Sequence, residues 1–352
     1  MSIIRFGIIG AGGITAKLHL PELAAMGDRA EITLISGRKE SRLKTLMGKF
    51  PAIKGLTTRY EDVLADDRID AVIIATPHTQ HVNWTLAAMK AGKHVLIQKP
   101  LCDSMAEADD LVTATAKSDR VILAMPHFMP VIYDFQRRIK EGAIGRVGSA
   151  RCRTSHGGPD VYYREIAAIF GEAPPDDLWF FDAKQAAVGA LFDMGVYAVA
   201  NLVALMGSVR RVMATTTTFD KPTTLEDTAA LVLQFAGGAV GVAETSWCDP
   251  ARTWELSVHG LSGKLTAHDR AEQCFHYFPL AMNSDRAPIE KRPIDIGAGA
   301  GNVHEHFLDC IAEGCQPPLS NVQAARHVTE ILLAALESGK TGRAVEIKTK
   351  TD

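Results

Sequence analysis

Nine residues near the N-terminus restrict the fold more than any others: Gly7-Ile8-Ile9-Gly10-Ala11-Gly12-Gly13-Ile14-Thr15. They end a short apolar run (residues 3–9) and open a helical pattern, the setting in which a glycine-rich turn of this kind has a physical role. Gly10 permits the tight turn, and Gly12 lets the backbone approach a pyrophosphate with no Cβ in the way. Gly13 and Ile14 begin the helix, whose N-terminus offers N–H groups and a partial positive charge to an anion. Thr15 stands where the pattern has its third glycine, a departure expected to loosen helix–strand packing slightly.

The following residues alternate strand and helix signals. Apolar runs at 31–36, 71–75, 94–97 and 121–124 are separated by helical patterns at 41–50, 82–91 and 105–117. Continuous apolar strands between helices imply a parallel sheet covered on both faces. We therefore expect an α/β, doubly wound parallel-sheet domain over residues 1–125, with a second, α+β domain over 126–352 whose last segment can pack back on the first. In that second part a helix at 133–141 leads to a strand at 147–153, then to an irregular stretch at 156–181 rich in Pro, Gly, Asp and aromatics. A loop of that length is expected to be functional. Residues 186–206 read as a buried apolar helix. Strands at 211–219, 228–235, 239–247, 253–259 and 264–267 follow, with Gly237-Gly238 as a hairpin turn. They predict an open-faced, mostly antiparallel sheet with helices on one face, closed by a helix at 324–337 and a strand at 345–348.

The 352-residue length suits two cores, since single cores stop growing near about 250–300 residues. A net charge of -3 offers no basic face for nucleic acid or an anionic membrane, and no apolar stretch approaches the ~20 residues of a membrane span. The chain enters a strand pattern at once, so no leader peptide is expected. Six cysteines without a Cys-x-x-Cys pair suit reduced thiols and a cytoplasmic location.

The end of the second strand bears on which nicotinamide cofactor such a fold would take. NAD sites usually place Asp or Glu there to hold the ribose 2′-hydroxyl. Here the residues are Ser36, Gly37, Arg38 and Lys39, and Glu31 lies at the opposite end of the strand. With no local carboxylate to repel a 2′-phosphate, NADP(H) is expected over NAD(H).

Two longer segments carry a resemblance. Lys17-x-His19-Leu20-Pro21 follows the glycine turn, and Ala75-Thr76-Pro77-His78-Thr79-Gln80-His81 precedes Ala91-Gly92-Lys93-His94-Val95-Leu96-Ile97-Gln98-Lys99-Pro100. With Asp193-Met194-Gly195-Val196-Tyr197 in the second half, the chain resembles the glucose–fructose oxidoreductase / inositol dehydrogenase / MocA family over nearly its whole length. The family normally reads Glu-Lys-Pro where this chain has Gln98-Lys99-Pro100, and His is commonest where it has Tyr197. The resemblance implies a Rossmann domain plus an open-faced sheet domain that commonly mediates oligomerisation, hence a homodimer or homotetramer. It also implies a cofactor site that includes Thr76, Pro77, His78, His81 and Gln98.

Hydride transfer at a secondary alcohol requires positioning of two carbons, a proton route at the oxygen and exclusion of water. Lys99, at the carboxyl end of the fourth strand of the parallel sheet, is the expected catalytic ammonium. Asp193 and Tyr197, spaced i, i+4, share a helix face; Tyr197 is the candidate acid/base and Asp193 orients substrate hydroxyls or the lysine. Gln98 leaves Lys99 without a neighbouring carboxylate, so Gln98→Glu is expected to move the alkaline limb of kcat/KM upward. His127 is expected near the nicotinamide, and Arg164, Asp176 and Trp179 are candidate substrate contacts. The spacings His78-x-x-His81 and His304-x-His306 lack a third ligand, so no metal is expected. The reading is an NADP(H)-dependent dehydrogenase or reductase of a sugar-like or cyclitol-like substrate. Its alternatives are a cofactor-retaining catalyst that oxidises and then re-reduces, and a non-enzymatic nucleotide- or sugar-sensing regulator.

Overall fold

The computed structural model describes residues 3–174, 178–186, 188–268, 273–279, 289–296 and 301–351; Asp176 lies outside them. The chain divides into two compact units. The first comprises Met1–His127, Asp160–Asp177 and Gly301–Arg326, and the second Phe128–Pro159, Leu178–Ala300 and His327–Asp352.

The first unit is built on a six-stranded sheet: β1 (Ile4–Ile9), β2 (Ala30–Ser36), β3 (Leu56–Thr57), β4 (Ala71–Ile74), β5 (His94–Ile97) and β6 (Ile122–Ala124). All its pairings are parallel, in the order β3-β2-β1-β4-β5-β6. The apolar runs have no alternation because both faces are covered. Along β4, Ala71 and Ile73 join one core with Phe6, Ile8 and Leu96, while Val72 and Ile74 join the other with Ile9, Val95 and Ile97. The direction of winding reverses between β1 and β4, and ligands of such sheets bind outside the carboxyl ends at that reversal. Those ends are tied to one another by main-chain bonds: Ala75 N–H to Ile9 O, Gln98 N–H to Ile74 O and Met125 N–H to Ile97 O.

The second unit holds a nine-stranded sheet: β7 (Val147–Ser155), β8 (Val209–Thr217), β9 (Thr228–Phe235), β10 (Val240–Ser246), β11 (Trp254–Gly260), β12 (Gly263–His268), β13 (Gln273–Pro279), β14 (Ile289–Pro293) and β15 (Val345–Glu346). Its order is β14-β13-β12-β11-β7-β10-β9-β8-β15, antiparallel except where β7 and β10 run parallel. A helix, Val196–Met206, buries Val199, Leu202 and Val203 against it.

Three expectations need correction. The stretch at 156–181 is not irregular throughout, because Pro159–Phe170 forms a 12-residue helix. Pro159 at its first position and Asp160 in its first turn start it well, and Ile166, Ala167 and Phe170 supply its buried face. Residues 186–206 are not one α-helix either. Val188 and Gly189 are not helical, and a π-helical turn at Leu191–Gly195 precedes the α-helix that starts at Val196. Thr15 does not loosen the packing, since it is fully buried and its hydroxyl donates to Gly10 O at 2.5 Å.

Candidate active site

The glycine turn sits at the carboxyl end of β1. Gly10 has φ +115°, and a Cβ there would lie 2.3 Å from Ala75 O, so only glycine lets β1 and the segment after β4 approach this closely. At Gly12 a Cβ would meet nothing within 4 Å, which leaves the backbone open to a ligand. Ala16 N–H donates to Gly12 O at 3.1 Å, so the first N–H groups of this helical segment lack intrahelical acceptors. Gly13 is covered instead, by Ile166 and by Tyr162 Oη at 3.1 Å from its would-be Cβ. The helix missed from sequence thus roofs the turn, and Lys17 pairs with its Glu165 and lies 5.0 Å from the Tyr162 ring.

Gly37, at the end of β2, packs on Ala11, which brings Arg38 beside the same turn. Arg38 and Lys39 are exposed, whereas the Ser36 hydroxyl is fully buried and donates to Ile8 O at 2.9 Å. The absence of a local carboxylate is only part of the picture. Glu172, from the segment after the Pro159–Phe170 helix, takes Arg42 Nε at 2.8 Å and lies 3.9 Å from Lys39 Nζ. Arg42 holds the Glu172 carboxyl below its ordinary pKa.

Beyond β4, His81 is a staple between two loops. Its Nε2 lies 2.9 Å from Thr76 O and its Nδ1 2.8 Å from Pro100 O, and burial pushes its pKa down to about 4. The neutral ring has one N–H, so it donates to one of these carbonyls and only lies beside the other. His78 is buried. Thr76 Oγ1 and His127 Nδ1 are buried without a hydrogen-bond partner among the described residues, while His127 Nε2 meets Gly301 O at 3.1 Å. The open approach at Gly12 and these two orphaned polar atoms fit a dinucleotide at this edge of the sheet. Lys99 follows β5 and is half-buried, with a cis peptide bond to Pro100. Gln98 Oε1 accepts the Lys99 N–H at 3.2 Å, and Gln98 Nε2 lies 3.0 Å from His19 Nε2.

In the second unit, Asp193 is set in the π-helical turn and Tyr197 in the first turn of the following α-helix; both are half-buried. Trp247 Nε1 donates to Asp193 Oδ2 at 2.9 Å, and His156 Nε2 meets the same oxygen at 3.1 Å. Because Gly158 N–H donates to His156 Nδ1 at 2.7 Å, the ring proton is on Nε2 and points to the carboxylate. His156 and Trp247 were not expected as site residues. They succeed β7 and β10, the parallel pair, whose register matches Ser155 with Ser246 and so delivers the two rings together. Trp179 lies against Phe180 with ring centroids 4.1 Å apart and planes tilted by 42°, and Phe180 and Phe181 flank Trp247. Arg164 belongs to the first unit, where its largely exposed side chain pairs with Asp160 at 3.9 Å.

A parallel sheet with a glycine-gated ligand edge and a lysine beside it defines a nicotinamide-dependent dehydrogenase. Residues 4–126 match the oxidoreductase family with the NAD-binding Rossmann fold, and residues 133–266 match the GFO/IDH/MocA C-terminal domain. The chain belongs to the Gfo/Idh/MocA oxidoreductase family. It is 27% identical to the D-xylose 1-dehydrogenase (NADP(+)) 2 of Haloferax volcanii, over 98% of this chain and 100% of that one. It is 27% identical to the myo-inositol 2-dehydrogenase of Thermotoga maritima, over 69% and 68%. The fold superposes on a levoglucosan dehydrogenase solved with NADH and levoglucosan, with a TM-score of 0.81, 23% identity and coverage of 99% and 100%. No described helix is long and apolar enough to cross a membrane.

Proposed function

We propose that this dehydrogenase moves a hydride between NADP(H) and a hydroxyl or carbonyl carbon of a sugar-like or cyclitol-like substrate. The observation that carries the reading is Lys99 at the carboxyl end of β5, in the same sheet edge as the open Gly12 turn. The xylose- and inositol-dehydrogenase relatives support the substrate class. When bound, the cofactor supplies the hydride-accepting or hydride-donating carbon. Gly10, Gly12, Gly13 and Ile14 would hold its pyrophosphate, Arg38 and Lys39 its 2′-phosphate, and Thr76, Pro77, His78 and His127 the remainder.

Lys99 hydrogen-bonds the substrate oxygen through its ammonium and lowers the cost of charge that develops there. Tyr197 is the proton-transferring group we assign, and Asp193, fixed by His156 and Trp247, orients the substrate hydroxyls. Trp179 is the further substrate contact we assign. Six cysteines with no Cys-x-x-Cys pair suit a reducing, cytoplasmic setting. The sheet face with Met213, Val232 and Val240 exposed suits a homo-oligomer, which light scattering tests.

The deciding experiment is a panel of sugars, inositols and sugar-derived ketones, read by NADPH and NADH absorbance in both directions. Turnover of at least one polyol or its ketone by the wild type, lost in Lys99→Ala, is the expected result. Turnover that survives Lys99→Ala removes the assignment.

A further inference from the structure

Gln98 is one end of an unbroken, buried line of hydrogen bonds within the first unit. Its Oε1 accepts the Lys99 N–H, which fixes the amide and turns Nε2 toward His19 Nε2 at 3.0 Å. His19 Nδ1 lies 2.8 Å from His304 Nε2, and His304 Nδ1 lies 2.7 Å from Glu22 Oε2. Both imidazoles are 0% exposed, and Glu22 brings the line to the surface.

The donors and acceptors allow one assignment. An amide NH2 only donates, so His19 Nε2 accepts and His19 carries its proton on Nδ1. His304 Nε2 therefore accepts, and its own proton is on Nδ1, aimed at a carboxylate that only accepts. Three gaps are filled by three protons with both rings neutral. Burial agrees, pushing the His19 pKa well below its ordinary value, with His304 adding to the effect. The remaining charged or titratable neighbours are committed elsewhere or bring no negative charge. Glu305 caps Asn302 N–H, Asp309 pairs with Arg29, and His127 and His306 face each other at 5.5 Å.

We propose that His19, His304 and Glu22 are positioning residues for Gln98 and, through it, for Lys99, and that glutamine at position 98 keeps the imidazole pair uncharged. A carboxylate at 98 accepts only. The same three gaps then have two neutral rings to fill them, so the line must bind one further proton, as an imidazolium. That positive charge offsets the new carboxylate beside Lys99. The upward shift of the alkaline limb expected for Gln98→Glu from charge alone is correspondingly reduced.

The consequence for Lys99 rests on the function proposed above, but the proton count does not, and the test reads no turnover. Histidine-selective 15N spectra of the full chain, assigned with His19→Gln and His304→Gln, report tautomer and charge directly. In the wild type each ring should carry a single proton, on Nδ1, at about pH 7. In Gln98→Glu one of the two should be an imidazolium at about pH 7. A wild-type ring that is charged or protonated on Nε2, or a Gln98→Glu protein with both rings neutral, overturns the proposal. If Gln98→Glu does not fold, the wild-type tautomers decide alone. Loss of the Lys99 assignment in the substrate panel would leave these spectra unchanged.

Discussion

The two units hold their polar residues by different means. At the edge of the parallel sheet, main chain does most of the work: Gly10 is pressed on Ala75, His81 sits between two carbonyls, and Lys99 comes two residues after β5. Around Asp193 the fixing is done by side chains, His156 and Trp247, that are 37 and 54 residues away in sequence. A parallel sheet collects its strand ends at one edge by construction, so a residue just past a strand is placed by topology alone. A mostly antiparallel sheet sends successive strand ends to opposite edges. Here the one parallel pair described in this second sheet, β7 and β10, is what puts two strand ends on one carboxylate.

The comparison predicts unequal sensitivities. Lys99→Ala removes a group whose backbone is already in place, so the loss should be almost wholly catalytic. We expect kcat/KM to fall about 10³-fold, with NADPH affinity, read by fluorescence titration, nearly unchanged. Tyr197→Phe should cost about 10²-fold, because water can replace part of a proton donor's role but not a fixed ammonium. If Tyr197→Phe were the more damaging of the two, the balance between the units would be the reverse of that argued here.

Smaller effects should follow from the scaffolding of Asp193. Trp247→Phe keeps most of a buried ring and removes one donor, leaving His156 on the same oxygen. One hydrogen bond to a charged group contributes about 1.5–3 kcal/mol, so kcat/KM should drop between about 10-fold and about 100-fold. Pairing it with His156→Leu in a double-mutant cycle should show coupling, since both donors serve one oxygen. Independent, additive losses would mean that Asp193 is held by something other than these two rings.

These differences also explain what could be read from the residues. The parallel sheet, the glycine turn and the place of Lys99 were legible because each depends on local sequence: apolar runs, glycines and a strand end. The helix at Pro159–Phe170 was obscured by its neighbours, since Gly157, Gly158 and the prolines around 174 suggested loop on both sides. Its role in covering Gly13 depends on a tertiary contact that no periodicity records. His156 and Trp247 were invisible as partners because nothing in either segment encodes the register of β7 against β10. The His19–His304 contact spans 285 residues, and it became meaningful only once Gln98 was seen to touch it.

The smallest effect concerns cofactor choice, where a distant segment modifies a local signal. Judged from β2 alone, Arg38 and Lys39 favour a 2′-phosphate. Glu172 alters that balance by occupying Arg42 and lying near Lys39, which leaves Arg38 as the cation of this edge with no ion-pair partner among the described residues. Glu172 is part-exposed, so its repulsion of a bound phosphate is screened and should amount to about 1 kcal/mol or less. Glu172→Gln should therefore tighten NADPH about 3–5-fold while leaving NADH unchanged, and the gain should shrink as salt is raised. Equal tightening of both cofactors would show that the substitution acts on the covering segment as a whole. No change in either would place the 2′-phosphate outside the reach of Lys39 and Arg42, with Arg38 alone left to distinguish the two.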